Sequence, residues 1–465
     1  MSLLADRYAS SAMKQIWSPQ AKMLAERNLW IAVMKAQASL GFEIPATAIA
    51  NYEKVKEQID LASIDKREKE LRHDVKARID EFNALAGHQY IHIGMTSRDL
   101  TENIEAFQIV TALKLVQSKT VALLAKLGEK TTAYKALPMV GRSHNVPAQI
   151  TTLGKRFATI AEELLFSHNR LDHLIQNFPI RGLKGPVGTA QDASDVMGAN
   201  YQKLEDVVTK SLGFEQSLDS TGQIYPRSFD YEVITTLVAL SAAPSNLATN
   251  IRLMAGHDLV SEGFKAGQVG SSAMPHKMNT RSCERINGFA AILKGYATMI
   301  GEISGNQWNE GDVSDSVVRR VAIADACYAI DGLLETTLTV LNEFGVFPAN
   351  IEKEIQTHLP FLATTKILMA AVKNGMGRED AHQVIKDIST KVANQLRQGE
   401  SASLLDQLAA DSRLPLSQSE LAELFSDPLD FTGQAQSQCE AVVAKIAAVT
   451  KAHPGALAYT PEQIR

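Results

Sequence analysis

Residues 99–127 read DLTENIEAFQIVTALKLVQSKTVALLAKL, and this stretch decides the class of fold. Core-type residues recur in it at alternating steps of three and four, which is the a/d pattern of a long helix in a bundle. They are Ala106, Ile109, Leu113, Val116, Thr120, Leu123 and Leu127. Three further long stretches with apolar periodicity lie at roughly 231–259, 284–305 and 316–343. All four exceed the usual globular helix of about ten to fourteen residues, so each needs partner helices.

The composition of the 465-residue chain agrees with helices packed on helices. Hydrophobic residues make up 45% and aromatic residues only 6%, whereas sheets are richer in aromatic and β-branched residues. We therefore predict an all-α fold of three helical domains, with residues 1–97 and 345–465 flanking a central long-helix bundle at 98–344. Few short connections could fold all the long helices onto one another, so bundling between subunits is a reasonable hypothesis.

Charge and cysteine usage exclude several classes of protein. The net charge of −5 gives no broad basic surface for nucleic acid, although a few cations can still form a pocket for a small anion. Cys283, Cys327 and Cys439 form no CxxC pair, which argues for a reducing compartment and against a cysteine metal site. No apolar segment has the length of a signal peptide core or an uncharged membrane span. We expect a soluble cytoplasmic protein without nucleic-acid, membrane, metal or cofactor partners.

Small, flexible and ionisable residues crowd together at 262–285, EGFKAGQVGSSAMPHKMNTRSCER. Ser271 and Ser272 bring two hydroxyls side by side, and Pro275 ends any local helix. The side chains that follow are His276, Lys277, Asn279, Arg281, Glu284 and Arg285. From the residues alone, this stretch is either a polar surface connection or a loop holding a possible base, a cation and hydrogen-bond donors.

GSSAMPHK, with Asn279 two residues later, resembles the signature loop of the fumarase/aspartase superfamily of lyases. These enzymes release fumarate by β-elimination from a succinyl group. The resemblance implies that Ser271 is the base, with Ser272 beside it, and that Lys277 and Asn279 bind a carboxylate. Serine is a poor base unless its alkoxide is stabilised, so His73, and less readily His276, stay as alternatives.

His144 lies in a predicted turn of GRSHNVPAQITTLGKRFA, residues 141–158, before a helix expected to begin at Thr151-Thr152. Histidine is the side chain best suited to proton transfer near neutral pH. The string resembles the superfamily's second block, which implies that His144 is the catalytic acid and that Glu284 orients it. Ser143 keeps the hydroxyl of the usual threonine, whereas Val146 loses the amide of the usual glutamine.

Three other strings resemble one family within this superfamily, the adenylosuccinate lyases. They are RYAS near the N-terminus, RHDV at Arg72–Val75, and LPFLATTKI with GREDAH in the last third. Without this context, Arg7 and Tyr8 would be surface residues and His73 a structural hydrogen-bonder. The resemblance implies instead that Arg7 and Tyr8 bind a nucleotide phosphate, since arginine can fork two donors onto it. It also implies substrate contacts from Arg72, His73 and Asp74.

The remaining candidates lie in shorter segments. Thr96 or Ser97 caps the helix predicted after IHIGM, and the resemblance assigns both to substrate, with His92 as a weaker candidate. Ser316 and Arg320 share one helical face and carry over as substrate contacts. The family's glutamine is offset by one position at Gln191, and Gly311 stands where the family enzymes have arginine. The other residues assigned to substrate are Arg285 and, as a possible contact only, Arg227.

The resemblance implies a fumarate-releasing enzyme for a small succinyl nucleotide. Its long helices would assemble into a homotetrameric core whose active sites are shared between subunits. The expected reactions cleave adenylosuccinate and the related succinyl-aminoimidazole-carboxamide ribonucleotide. Two alternatives stay open: another superfamily lyase, such as one for argininosuccinate, and a helical scaffold that has lost the chemistry.

Overall fold

The computed structural model describes residues 2–263, 274, 276–462 and 464. Helices account for about 70% of the chain, which confirms the all-α class. The N-terminal helices are α1 Leu3–Tyr8, α2 Ser11–Ile16, α3 Pro19–Ser39, α4 Ala46–Val55, α5 Leu61–Leu71 and α6 Asp74–Ala86. Ser18 caps α3 by accepting the Ala21 N–H, and Pro19 occupies its first position.

The middle of the chain contains the longest helices and two short antiparallel strand pairs. Its helices are α7 Ser97–Tyr134, α8 Leu153–Asn177, α9 Gln191–Met197, α10 Tyr201–Ser211, α11 Ser228–Ala255, α12 Arg281–Ile303 and α13 Ser316–Glu343. Its strands are β1 Pro138–Ser143, β2 Val146–Thr152, β3 Val260–Ser261 and β4 Gly345–Val346, paired as β1–β2 and β3–β4.

The last third consists of α14 Pro348–Leu362, α15 Thr364–Lys373, α16 Arg378–Arg397, α17 Leu404–Ala410, α18 Gln418–Leu424 and α19 Ala435–Ala452. Helices α15 to α18 bury an apolar core of their own. In contrast, α14 and α19 contribute to the main core, and α19 packs against α7 and α8. The three domains with boundaries at 97/98 and 344/345 stay a prediction.

The a/d pattern of residues 99–127 predicts which side chains of α7 are buried. Each of its seven core positions is at most 1% exposed, and α7 packs against α8 and α13. Helices α11, α12 and α13 pack against one another to complete the bundle. By length and composition α7 could cross a membrane, but 67% of its most apolar window is buried inside the protein. It is a core helix.

A hairpin stands where the sequence predicts only a turn. His144 and Asn145 form its two-residue connection, with φ of 52° and 62°, and Ser143 pairs with Val146 across it. Positive φ at both positions is the backbone of the tight turns that suit antiparallel strands. The helix that follows begins at Leu153 and is capped by Thr152, which accepts the Lys155 N–H at 3.0 Å.

A buried ion cluster joins both ends of the chain to the bundle; we call it the Lys119 cluster. Lys119 of α7 is fully buried between Asp331 and Glu335 of α13, 2.6 Å from the Glu335 carboxylate. Ser10 donates its N–H to Asp331 at 2.6 Å and accepts from Lys119 at 2.9 Å. Tyr459 donates to Glu335. The cluster therefore joins distant parts of the chain, and Ser10 and Asp331 are 321 positions apart.

Candidate active site

A cleft of about 780 Å³ opens where α6, α7 and α13 begin. Residues from the start of each of these helices line it, among them hydroxyl-bearing Thr96, Ser97 and Ser316. Six of the side chains assigned to substrate by sequence line this cleft, namely His73, Asp74, Thr96, Ser97, Ser316 and Arg320. The structure therefore collects in one place residues that are up to about 250 positions apart.

The first turn of α7 is held in place by Asp99. Its Oδ2 accepts the Thr96 N–H at 2.8 Å, which is half of a capping box. Its Oδ1 is paired with buried Arg181 and accepts the N–H groups of Lys184 at 2.8 Å and Gly185 at 3.0 Å. Because Asp99 is fully buried and satisfied, the hydroxyls of Thr96 and Ser97 stand on a rigid support.

The first turn of α13 places Ser316 and the exposed Arg320 on the cleft, as their four-residue spacing predicts. Arg319, between them, points inward and is 5% exposed. It contacts Asp230 at 2.7 Å and Glu105 at 2.5 Å. The buried arginine therefore fixes the helix, while its neighbour is left to meet a ligand.

Arg319 belongs to a largely buried ion network, of which Arg319 and Glu105 line the cleft. The network consists of Glu102, Glu105, Arg227, Asp230, Asp315 and Arg319. Glu102 accepts two bonds from Arg227, at 2.8 and 3.0 Å. Burial raises the pKa of Glu105, but the charges of Arg319 and Lys22 outweigh this and lower it to about 2. Glu105 is therefore ionised at neutral pH. Arg227, a possible substrate contact by sequence, is instead held by Glu102 and Asp315.

His73 and Asp74 form the cleft wall at the start of α6. The His73 Nδ1 caps this helix by accepting the Lys76 N–H at 3.2 Å. In the neutral ring with this bond, the proton is then on Nε2. Asp74 is paired with Arg78 at 3.1 Å. Arg72 is exposed, and it lines a smaller adjoining cavity together with His73, Asp74 and Arg320.

A second group of predicted residues meets away from the cleft lining. The guanidinium carbon of Arg285 lies 5.5 Å from the centre of the Tyr8 ring, and that of Arg7 lies 5.7 Å from it. The Tyr8 ring also contacts Phe289 edge-on, at 5.2 Å between centroids. Two cations therefore stack around one phenol, which leaves guanidinium donors for an anion.

A third group lies at the end of the signature loop and the start of α12. Lys277, Asn279 and Glu284 line a cavity of about 570 Å³, together with His276. Ser271 and Ser272 lie outside the described residues. His144 is exposed at the hairpin tip and lines neither this cavity nor the cleft. Within one chain, the assigned acid is thus separate from the residues expected to surround it.

Gln191 begins α9 and is exposed. Its side chain donates to Asp195 at 2.7 Å. His92, the weaker candidate, is a structural hydrogen-bonder, since its Nδ1 accepts the Trp30 indole N–H at 3.0 Å. Among the described residues, no group of three histidine, cysteine, aspartate or glutamate side chains could hold a metal ion.

Comparisons with known proteins identify the family. A model described as "Lyase" matches residues 6–295, and one described as "Adenylosuccinate lyase C-terminus" matches residues 360–442. Adenylosuccinate lyase from Saccharomyces cerevisiae is 33% identical over 453 residues, which cover 95% of this chain and 93% of the yeast protein. The chain belongs to the adenylosuccinate lyase family. The enzyme of that name from Synechocystis is 31% identical, over 93% of this chain and 98% of its own length.

Solved structures share the fold of this adenylosuccinate lyase family member. The 3-carboxy-cis,cis-muconate lactonizing enzyme from Pseudomonas putida superposes with a TM-score of 0.84 at 20% identity, covering 96% of this chain and 99% of its own. A fumarate lyase from Mesorhizobium sp. BNC1 superposes with a TM-score of 0.79 at 19% identity, covering 94% and 98%. These similarities establish the architecture, whereas the sequence relatives establish the family.

The structure explains the departure from the adenylosuccinate lyase pattern at Gly311. Its φ is +129°, which other residues rarely adopt. A Cβ added there would lie 2.9 Å from Ile224 Cγ1. The preceding carbonyl of Glu310 accepts the Gln223 N–H at 2.6 Å, which fixes this segment against the 222–224 turn. An arginine at position 311 therefore requires a different local backbone.

Two cations on the cleft were missed by sequence reasoning. Lys22 of α3 lines it, 3.9 Å from Glu105. Arg98 also lines it, one residue after Ser97. The signal for Arg98 was its place in the TSRD string, directly after two assigned residues. The signal for Lys22 was absent, because its position on the cleft depends on how α3 packs on α7.

Proposed function

We propose that this chain releases fumarate by β-elimination from adenylosuccinate, giving AMP, and from the succinyl-aminoimidazole-carboxamide ribonucleotide of purine biosynthesis. The observation that carries the proposal is full-length relationship to adenylosuccinate lyases, including the family's C-terminal segment at 360–442. The cleft supports it, since hydroxyls, helix N-termini and Arg320 converge where an anionic substrate could bind.

In the proposed mechanism, a base removes the proton next to a succinyl carboxylate, and an acid protonates the leaving nitrogen. The developing dianion requires fixed donors and cations, which usually supply the largest part of catalysis. We assign donors to Thr96, Ser97 and Ser316 and a cation to Arg320. Arg7, Tyr8 and Arg285 would hold the phosphate. Lys277, Asn279 and Gln191 would make further substrate contacts.

We propose Ser271 as base and His144 as acid. His73 is the alternative base, but its capping bond occupies the Nδ1 lone pair and leaves the ring proton on Nε2, which favours a hydrogen-bond donor over a base. Arg72, Asp74 and Ser272 would then complete the binding surface. Proton removal forms the dianion, and the C–N bond then breaks as the C=C bond of fumarate forms and the acid protonates the leaving nitrogen. These steps need only proton transfer and anion binding from the protein, so the proposed mechanism uses no metal or cofactor.

We propose a homotetramer in which different subunits complete each site. In one chain, His144 and the Lys277–Asn279 cavity are separate from the cleft, so other copies would have to supply them. Exposed apolar side chains along the central helices support such assembly. They include Tyr231 and Leu253 on α11, Ile292 and Met299 on α12, and Val317 and Val321 on α13. Residues 98–344 would form the shared core, between helical domains at 1–97 and 345–465.

A spectrophotometric assay tests the activity. The purified protein is offered adenylosuccinate and, separately, argininosuccinate, and the absorbance change is followed. We expect turnover of adenylosuccinate only. Turnover of argininosuccinate alone would establish another superfamily lyase, and no turnover of either would support a scaffold without chemistry. Cell fractionation tests the cytoplasmic location that we propose for an enzyme of purine synthesis.

A further inference from the structure

Arg98 occupies a position on the cleft that the proposed mechanism does not use. It is the second residue of α7, and its side chain is 14% exposed. Its Nη1 lies 3.1 Å from Glu102, and its Nη2 lies 3.4 Å from the Ser316 hydroxyl oxygen. It therefore bridges the first turns of α7 and α13, the two long helices that begin at the cleft.

Glu102 accepts a hydrogen bond from Arg98, but it already has another cationic partner. Both carboxylate oxygens of Glu102 are already bonded to Arg227, and one also accepts the Tyr225 N–H at 3.1 Å. Arg98 thus adds a third positive charge to a carboxylate that already has buried Arg227 at 2.8 Å and Arg319 at 3.8 Å. A guanidinium carries five N–H donors, and these two contacts leave donors at the cleft.

In the hydrogen bond between Arg98 and Ser316, the donor and the acceptor can be assigned. Because Arg98 can only donate, the Ser316 hydroxyl accepts from it and keeps its own hydrogen for another acceptor. A guanidinium N–H and a hydroxyl then point donors at the same space. Two such donors fit one oxyanion, either a carboxylate or a phosphate.

The segment before α13 has no cationic side chain where the family resemblance expects one, since Gly311 has none. We infer that Arg98 is a further substrate-binding residue, which receives a substrate oxyanion together with Ser316 and supplies the cation that position 311 lacks. This inference rests on the proposed function for the identity of the substrate. Binding of an oxyanion by Arg98 and Ser316 can be tested without any catalytic turnover.

Binding of the two products separates the possible sources of the oxyanion. Fumarate carries carboxylates and no phosphate, whereas AMP carries a phosphate and no carboxylate. Calorimetry on the full-length protein and its Arg98→Gln variant should show one of the two products binding about 10- to 100-fold more weakly, the usual range for a lost charged hydrogen bond. If fumarate binds more weakly, the oxyanion that Arg98 binds is a carboxylate. If AMP binds more weakly, that oxyanion is the phosphate.

Arg413→Gln is the matched control, since it removes the same charge from an ion pair with Asp411 in the C-terminal region. Arg98→Lys should recover only part of the affinity, because an ammonium cannot fork. The Ser316→Ala variant should weaken the same product, and the double variant should lose less than the two single losses combined.

Several results would overturn the inference. One is unchanged affinity of Arg98→Gln for both products. Another is an equal loss for both accompanied by a lower melting temperature, which indicates a structural role. A wild-type protein that binds neither product would overturn it as well. Wild-type binding of fumarate or AMP without turnover of adenylosuccinate would instead count against the proposed activity, while the Arg98 comparison would still be decisive.

Discussion

Tyr459 donates a hydrogen bond to Glu335, a fully buried carboxylate of the Lys119 cluster. The Glu462 N–H donates to the second carboxylate oxygen of Glu335 at 2.6 Å. The Glu462 carboxylate in turn accepts the Ser11 N–H at 3.0 Å. The segment after α19 thus ties the central bundle to the region just after Arg7 and Tyr8.

Removing the cation of this cluster should strongly destabilise the protein. Lys119→Met leaves the carboxylates of Asp331 and Glu335 buried without their positive partner, and breaking a buried ion pair costs about 3–5 kcal/mol. Urea denaturation at a fixed protein concentration measures the loss. The control is Lys445→Met, whose ion pair with Glu162 is about half exposed and should cost under about 1 kcal/mol. Equal losses in both variants would contradict the prediction.

A methyl group at position 311 should also destabilise the protein. Gly311→Ala places a Cβ 2.9 Å from Ile224 in a backbone conformation with φ of +129°, and such strain costs on the order of 1–3 kcal/mol. Thermal unfolding followed by circular dichroism measures it. Gly455→Ala is the control, because its φ is not positive and a Cβ there meets no atom within 4 Å. A melting temperature equal to that of the control would rule out strain at Gly311.

His92 should make stability depend on pH. Burial, with the charges of His73 and Lys76, lowers its pKa from 6.5 to about 4. Between these values the unfolded chain binds a proton that the folded chain does not, so stability falls as pH falls from about 6.5 to about 4. The full effect is on the order of 3 kcal/mol.

Denaturant unfolding of wild type and His92→Asn between pH 4 and 8 measures this contribution. Asparagine tolerates the φ of 66° at this position and does not titrate. The difference in stability between the two proteins should be constant above pH 7 and should change steadily below pH 6.5. A difference that stays constant over the whole range would contradict the assignment.

If active sites are shared between subunits, mixing two inactive variants should restore enzymatic activity. His144→Ala and Ser271→Ala should each be inactive alone. Equal amounts of the two variants are mixed and their subunits are allowed to exchange. About a quarter of the sites should then contain an intact His144 from one subunit and an intact Ser271 from another. The adenylosuccinate assay measures the recovery, and each variant treated alone is the control. Mixed samples that stay inactive would argue against sites shared in this way.

Local periodicity predicted the burial of α7 well, because a/d spacing depends only on neighbouring turns of one helix. It missed the β1–β2 hairpin, although the turn at His144 was expected. Pairing of those strands depends on the positive φ of His144 and Asn145, which residue type alone did not reveal. The cleft residues came from motif resemblance, and Arg98 directly follows two of them, whereas the place of Lys22 on the cleft depends on packing of α3 on α7, two helices distant in sequence. Such contacts leave no local pattern.

The Lys119 cluster also has a consequence for synthesis of the chain. Lys119 and Glu335 leave the ribosome well before Tyr459 and Glu462, so the bundle first forms around a carboxylate that lacks two of its donors. A buried carboxylate with unmet hydrogen bonds is unfavourable, so we expect the nascent bundle to be loosely packed at this point. Final closure of the core, with the segment that carries Arg7 and Tyr8, then requires synthesis of the segment that carries Tyr459 and Glu462.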